Sequence, residues 1–398
     1  MKQNSSFLRI IFFMLILSAV GTMPLCAQYG GIQMEANPAS DFGYDLNETG
    51  DGVVITDYRG GYGGIVIPAE IEGYPVVEWN VKIYGDSNIT ALIFPDSITK
   101  IVNPTTTDYR GERRGAFSYM YQLEKVRLPK YLKEIPADWF SGHKFLTEVQ
   151  LPDLEVIGAE TFIGTSIEKL VIPQSVKKIE AAAFSGCQQL TELTLPDTLE
   201  YIGAEAFSGT SIGILNIPQS VKRIEAGAFR GCGYLRTLTI ANGVEYIGPE
   251  AFKDTGIRHL IIPPSVTRIE KETFSGWQTL QTVSIPDSIE SIGQEAFRGA
   301  AIKMLTIPKS VQRIGAGAFS NCESLETLII SDGIEYIGSG AFKNCTNLTN
   351  VTLPTKQIEY KGTEDGSTFN AFYNCPRISL KDRKKIKETG YTGTFTFD

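Results

Sequence analysis

The sequence predicts a mainly β solenoid of short parallel strands, closed by a hairpin at one end and a helix at the other. Three observations carry this. A Phe returns at 117, 140, 162, 184, 207, 229, 252, 274, 297, 319 and 342, with gaps that alternate between 22 and 23 residues once the pattern settles. Between these anchors runs a fixed apolar frame, L-x-x-L-x-L followed by Pro. Each unit offers about six inward apolar side chains, too few to fold alone, so stacked neighbours must supply the rest of the core.

One unit, Ser185 to Phe207, shows the physics. Leu193 and Leu195 lie two apart, on one face of a short strand. Pro196 ends that strand because it has no N–H for the ladder. Leu199 and Ile202 form a second apolar pair, Gly203 makes a turn, and Ala206-Phe207 closes the coil. The same frame recurs at Ile167-Leu170-Ile172-Pro173, Ile212-Leu215-Ile217-Pro218, Leu280-Val283-Ile285-Pro286 and Leu348-Val351-Leu353-Pro354.

Taken in order, residues 1–27 resemble a signal peptide, with Lys2 and Arg9 ahead of an apolar stretch from Ile10 to Val20. Cleavage after Ala27 is expected; lipid attachment at Cys26 and an uncleaved anchor are the alternatives. No other apolar run is long enough to cross a bilayer, so the mature protein is expected without a transmembrane span. Residues 28–61 are expected as an N-terminal cap. Phe42, Tyr44 and Leu46 alternate, Asn47 to Gly52 turns, and Val53 to Thr56 returns as a strand. Asp45, Asn47 and Gly50 also resemble part of a calcium loop, but Thr56 stands where its Glu belongs, and a plain hairpin is the preferred reading.

The solenoid is expected over 62–376. Ile101 to Phe117 spans 16 positions where Ile157 to Phe162 takes 5, an insertion of 11. Ile358 to Phe372 spans 14, an insertion of 9 at the same point of the unit. Residues 377–398 are expected as a C-terminal cap: a basic helix over 378–389, stopped by Gly390, then a strand from Tyr391 to Phe397.

The composition is that of a globular chain, 42% apolar and 21% charged. A net charge of −8 argues against nucleic acid and anionic membrane as partners. The two histidines, His143 and His259, occupy different coil positions, and no nucleotide, zinc-protease or nucleophile-elbow motif is present. Neither an enzyme nor a cofactor or metal site is expected. Glu180, Glu205, Glu225 and Glu250 recur with the repeat and read as solvated faces. Cys187, Cys232, Cys322, Cys345 and Cys375 each follow the closing Phe by three residues, a place shared with Met120, His143, Thr165, Thr210, Thr255, Trp277 and Ala300. They are expected as unpaired, half-buried thiols, although Cys322 and Cys345, on adjacent coils, are within reach of one another.

What remains is a surface. The outward strand residues form rows of Thr and Ser, a composition that suits exposed strands without any ligand. The rows are interrupted by Ile214, Ile261, Met304 and Ile329. Apolar side chains in an otherwise polar row are where contact with a partner is expected. The first insertion adds Tyr109, Arg110, Arg113 and Arg114, residue types enriched at contact hot spots.

The unit x-L-x-x-L-x-L-P-x-x-V/L-x-x-I-G-x-x-A-F-x-x-C resembles the BspA-like leucine-rich repeats of bacterial surface proteins, over about residues 62–376. The leading hairpin and the ending KETGYTGTF are similar to that family's caps. The resemblance implies a right-handed leucine-rich-repeat solenoid that is exported and non-enzymatic. Some members are adhesins that bind host matrix proteins or other bacteria. A protein or glycan ligand, such as a host matrix protein or another cell surface, is the partner expected on this basis. The alternative is an envelope scaffold or spacer without a soluble ligand. The family has no binding motif to carry onto named residues, and the two insertions depart from its pattern.

Overall fold

The computed structural model describes residues 35–81, 88–102, 106–107, 113–114, 117–360 and 370–395. The leader expected over 1–27, the loop residues Tyr109 and Arg110, and the second insertion lie outside these residues.

The chain is a stack of coils with two parallel ladders. The first ladder begins with strands β3 (Gly63–Val66) and β6 (Ile89–Ile93) and continues through Lys125–Arg127 and Glu148–Gln150. Along the repeats it is hydrogen-bonded in groups: Lys169–Val171 with Glu192–Thr194, Ile214–Ile217 with Thr237–Ile240, His259–Ile261 with Thr282–Ser284, and Met304–Ile307 with Thr327–Ile330 and Asn350–Thr352. The paired strands are in register, Leu215 against Leu238 for example. The second ladder is made of two-residue strands, unbroken from Glu134–Ile135 to Tyr246–Ile247 and again from Arg268–Ile269 to Glu359–Tyr360.

Between the ladders lies the Phe column. From Phe117 to Phe372 the rings stack face to face, with centroids mostly 5.3 Å apart. Nearly all are fully buried. From Phe140 to Phe342, two left-handed residues bracket each Phe of the column and turn the chain around it. In the unit ending at Phe207 these are Glu205, at φ 54°, and Gly209, at φ 69°. Glu205 and Glu250 therefore sit at a corner that normally favours glycine. Glu180 and Glu225 occupy a different point of the coil, the one taken elsewhere by Gly203 and Gly248. Those glycines are needed for close approach, since a Cβ on Gly203 would come within 2.5 Å of the Glu180 carbonyl carbon. The expected inward pair differs from coil to coil: Leu215 and Ile217 are buried, whereas Leu193 and Leu195 are only half-buried.

The hairpin has the predicted form. Strands β1 (Phe42–Leu46) and β2 (Val53–Tyr58) pair antiparallel, and the Asn47 Oδ1 accepts from the N–H groups of Asp51 and Gly52 to close the turn. β2 then pairs parallel with β5 (Tyr74–Trp79), to which β4 (Glu70–Ile71) pairs antiparallel, and β5 in turn pairs with Lys100–Ile101. The hairpin thus extends the second ladder, with Phe42, Val53 and Ile55 in the core.

At the other end, helix α1 (Leu380–Glu388) starts at Ser379, whose Oγ accepts from the Asp382 N–H at 3.1 Å. Gly390, at φ 100°, follows its end. Ile386 is buried and Leu380 is exposed. The strand expected from Tyr391 is absent among the described residues. Tyr391 and Phe395 are instead turned in against Phe372, at 5.5 and 6.5 Å. The reason is local: the Tyr391 hydroxyl donates to the Thr394 carbonyl, which closes a turn. That hydroxyl also accepts from the Phe372 N–H at 3.3 Å. In earlier coils the same N–H bonds a carbonyl of the next coil, as Phe342 bonds Ala371. Tyr391 stands where a further coil would.

Candidate binding surface

The residue three after each Phe turns inward, so the cysteines are fully buried rather than half-buried, and all five are unpaired. At seven of its twelve occupants the position bonds to the coil before, while Met120 and Ala300 have no donor to give. The thiols of Cys187, Cys232, Cys322, Cys345 and Cys375 each donate to the carbonyl of an earlier closing Phe, at 3.1–3.3 Å. Trp277 Nε1 does the same to Phe252 at 2.6 Å, and His143 Nε2 lies 3.0 Å from the Phe117 carbonyl oxygen. Burial raises the pKa of the Cys187, Cys232 and Cys345 thiols and that of Cys322 to about 12, and lowers that of His143. These groups hold coils together and are shut off from solvent. Among the described residues, no cluster of three or more His, Cys, Asp or Glu is placed to hold a metal ion.

The first ladder presents the predicted outward rows. Ile214, Ile261 and Met304 are 62%, 75% and 63% exposed. Strand alternation puts them there: Leu215, Leu260 and Leu305, the neighbours along the chain, point into the core. Ile329 shares the row of Ile261 but is half-buried, and belongs to the margin of the patch rather than its centre. Val171, 44% exposed, joins the patch and was missed from the sequence. Val171, Ile214, Ile261 and Met304 fall on every second coil. That signal was available in the alternation of 22- and 23-residue units. The coils between them carry polar side chains: Glu192, paired with Lys169 at 2.7 Å, then Thr237, then Thr282, whose hydroxyl is 2.8 Å from His259 Nδ1. His259 sits beside Ile261 on the same strand.

The first insertion leaves the coil after the second ladder, beyond Ile101, and not from the first ladder. Its described part is a short antiparallel pair, Thr106–Thr107 with Arg113–Arg114. It lies five coils before the unit that carries Ile214, on the order of 24 Å along the stack. The structure gathers the sheet-face residues into one patch and does not bring Arg113 and Arg114 into it.

The family is decided by the repeat. The model of the BspA type leucine rich repeat region matches residues 78–153, 112–167, 155–281 and 267–393. The chain belongs to the BspA-type leucine-rich repeat family. A solved leucine-rich repeat protein from Bacteroides ovatus is 23% identical, with a TM-score of 0.52 and coverage of 81% of this chain and 98% of that one. A leucine rich cell surface protein from Faecalibacterium prausnitzii is 22% identical, with a TM-score of 0.43 and coverage of 85% and 98%. At 23% identity the likeness to the Bacteroides ovatus protein speaks to fold alone. A search of the curated proteins finds no match. Among the described residues of this BspA-type chain, no helix is long and apolar enough to cross a membrane.

Proposed function

We propose that this protein is an exported, non-enzymatic binding protein, displayed at or released from the cell surface, which engages a protein partner through the first-ladder face. The observation that carries the reading is the patch of Val171, Ile214, Ile261 and Met304 on a face otherwise mostly polar. Six coil steps separate Val171 from Met304, about 29 Å at sheet spacing. A standard protein interface of about 800 Å² per side fits on that length. Export rests on the leader-like residues 1–27. The first insertion, with Tyr109, Arg110, Arg113 and Arg114 in its sequence, would add longer-range electrostatic capture.

The test is a solid-phase screen of the mature protein against matrix proteins and intact bacterial surfaces, followed by two variants. Ile214→Thr, Ile261→Thr and Met304→Thr together should weaken binding at least about tenfold at any salt, which is about 1.4 kcal/mol. Deleting 105–114 should weaken it mainly at low salt. A captured ligand that binds both variants as tightly as the parent would place the site elsewhere. Should the screen capture nothing, the spacer reading is favoured.

A further inference from the structure

Between the two insertions, the repeat departs from its pattern between the coils closed by Phe252 and Phe297. The second ladder is interrupted there, between Tyr246–Ile247 and Arg268–Ile269. The Phe column opens to 6.2 Å between Phe252 and Phe274, against 5.3 Å in the steps on either side. The buried donor position holds its bulkiest residue, Trp277, and one coil later an alanine, Ala300. The indole reaches the Phe252 carbonyl, and the coil that follows has only methyl groups to place, on Ala300 and Ala301. Sites where a chain departs from its own rule are where function or strain is expected.

A cleft of about 550 Å³ opens at this departure. Small residues line its middle: Gly276, Gly299, Ala300 and Ala301. Asp254 and Gln278 line it from the earlier coils, Asn321 and Glu323 from the later one. The cations at the cleft are already matched by the protein. Lys253 pairs with Glu272 at 2.5 Å and Glu250 at 3.4 Å, and Arg298 pairs with Glu295 at 2.9 Å. Asn321 accepts from Asn344 through Oδ1, which leaves its Nδ2 to donate.

We propose that this cleft binds a neutral oligosaccharide of about three sugar units, lying along the stack axis. The lining is rich in carboxylates, amides and hydroxyls, and its apolar members are methyl groups, so it suits a polyol better than peptide side chains. An acidic sugar would meet Asp254 and Glu323 with no uncommitted cation to offset them. Sugar hydroxyls can donate to both carboxylates in charge-assisted hydrogen bonds. Asp254 and Glu323 stand three coils apart, about 14 Å, a span that three linked pyranose rings cover. The cleft lies at the turn following the Phe, away from the strand residues of the first-ladder patch, so the proposal stands apart from the protein-binding reading.

The experiment is calorimetric titration of the full mature chain with linear gluco-, manno- and N-acetylglucosamine oligomers of one to five units, with a heparin fragment as the anionic control. In at least one series, affinity should rise up to three units and then level off. Asp254→Asn combined with Glu323→Gln should weaken that binding at least tenfold, and Ala301→Trp should abolish it, both with an unchanged melting curve. The triple Thr variant of Ile214, Ile261 and Met304 should bind the sugar like the parent. The proposal is overturned if no neutral oligomer binds at millimolar concentration, if the heparin fragment binds more tightly than all of them, or if Ala301→Trp binds as the parent does. Loss of sugar binding in the triple Thr variant would also overturn it.

Discussion

Replacing Phe207 by alanine tests whether the Phe column is the spine of this fold. The ring is fully buried, and its centroid is 5.3 Å from both Phe184 and Phe229. Buried Phe to Ala changes cost about 3–5 kcal/mol, with the spread set by how far the site can collapse. Collapse is restricted here. The Phe184 N–H donates to the Ala206 carbonyl and the Phe207 N–H to the Ala228 carbonyl, both at 2.8 Å, so the backbone on either side is held at coil spacing. Each lost ring–ring contact adds about 0.5–1.5 kcal/mol beyond area burial. The upper half of the range is therefore expected. In a one-dimensional stack the damage should be greatest near the defect. Hydrogen exchange followed by mass spectrometry should show protection falling over residues 185–230 before it falls over 300–345. Unchanged protection in 185–230, or a loss below about 1 kcal/mol by urea denaturation, would refute the reasoning.

Two further outcomes follow from the buried donor position. Thiol reagents should leave Cys187, Cys232, Cys322, Cys345 and Cys375 unmodified in the folded protein and modify all five after denaturation without reductant; any shortfall after denaturation would reveal a disulfide, with Cys322–Cys345 and Cys345–Cys375 the adjacent pairs. Burial keeps His143 neutral in the fold, while the unfolded chain takes up its proton below about pH 6.5, so its contribution to stability is complete above that pH and falls below it by at most about 1.4 kcal/mol per unit until the folded pKa is reached. His143→Thr, the residue found at the same place in Thr165 and Thr210, should narrow the loss of melting temperature between pH 7.5 and 5.5; an identical loss in both proteins would sink this account.

The sequence made the column legible because one residue type, Phe, recurs at a fixed interval. The hairpin was legible because strand alternation and turn residues are local signals, and the N-cap of α1 is local too. The features that escaped depend on neighbours in space. Tyr391 and Phe395 alternate like a strand, but a strand needs a ladder partner, and here the rings have an open end of the Phe column to cover. Cys, Trp and His look unrelated in size at the position three after the Phe, and their common property, a hydrogen on a polar atom, matters only once the facing carbonyl is known. Ile329 was placed on the correct face, but its partial burial is set by side chains of adjacent coils.

Neighbouring coils carry complementary side chains at equivalent positions of the surface. In-register coils set equivalent residues about 4.8 Å apart, where like charges repel. One row beside the second ladder reads Lys133, Glu155, Lys177, Glu200, Lys222, Glu245. Lys177 meets Glu155 at 3.1 Å, and Lys222 meets Glu245 at 3.5 Å. The next row alternates Lys178, Tyr201, Arg223 and Tyr246, and the Arg223 guanidinium lies 4.3 Å from the Tyr246 ring centre. Arg313 repeats that contact with Tyr336 at 4.5 Å. Each exposed pair contributes little to stability. Together they select register, because a slip by one coil would set Lys against Lys and Glu against Glu. Over residues 133–245 this charge pattern repeats every two coils. On the first-ladder face Val171, Ile214, Ile261 and Met304 also recur every second coil, so a partner there meets them about 9.6 Å apart along the stack.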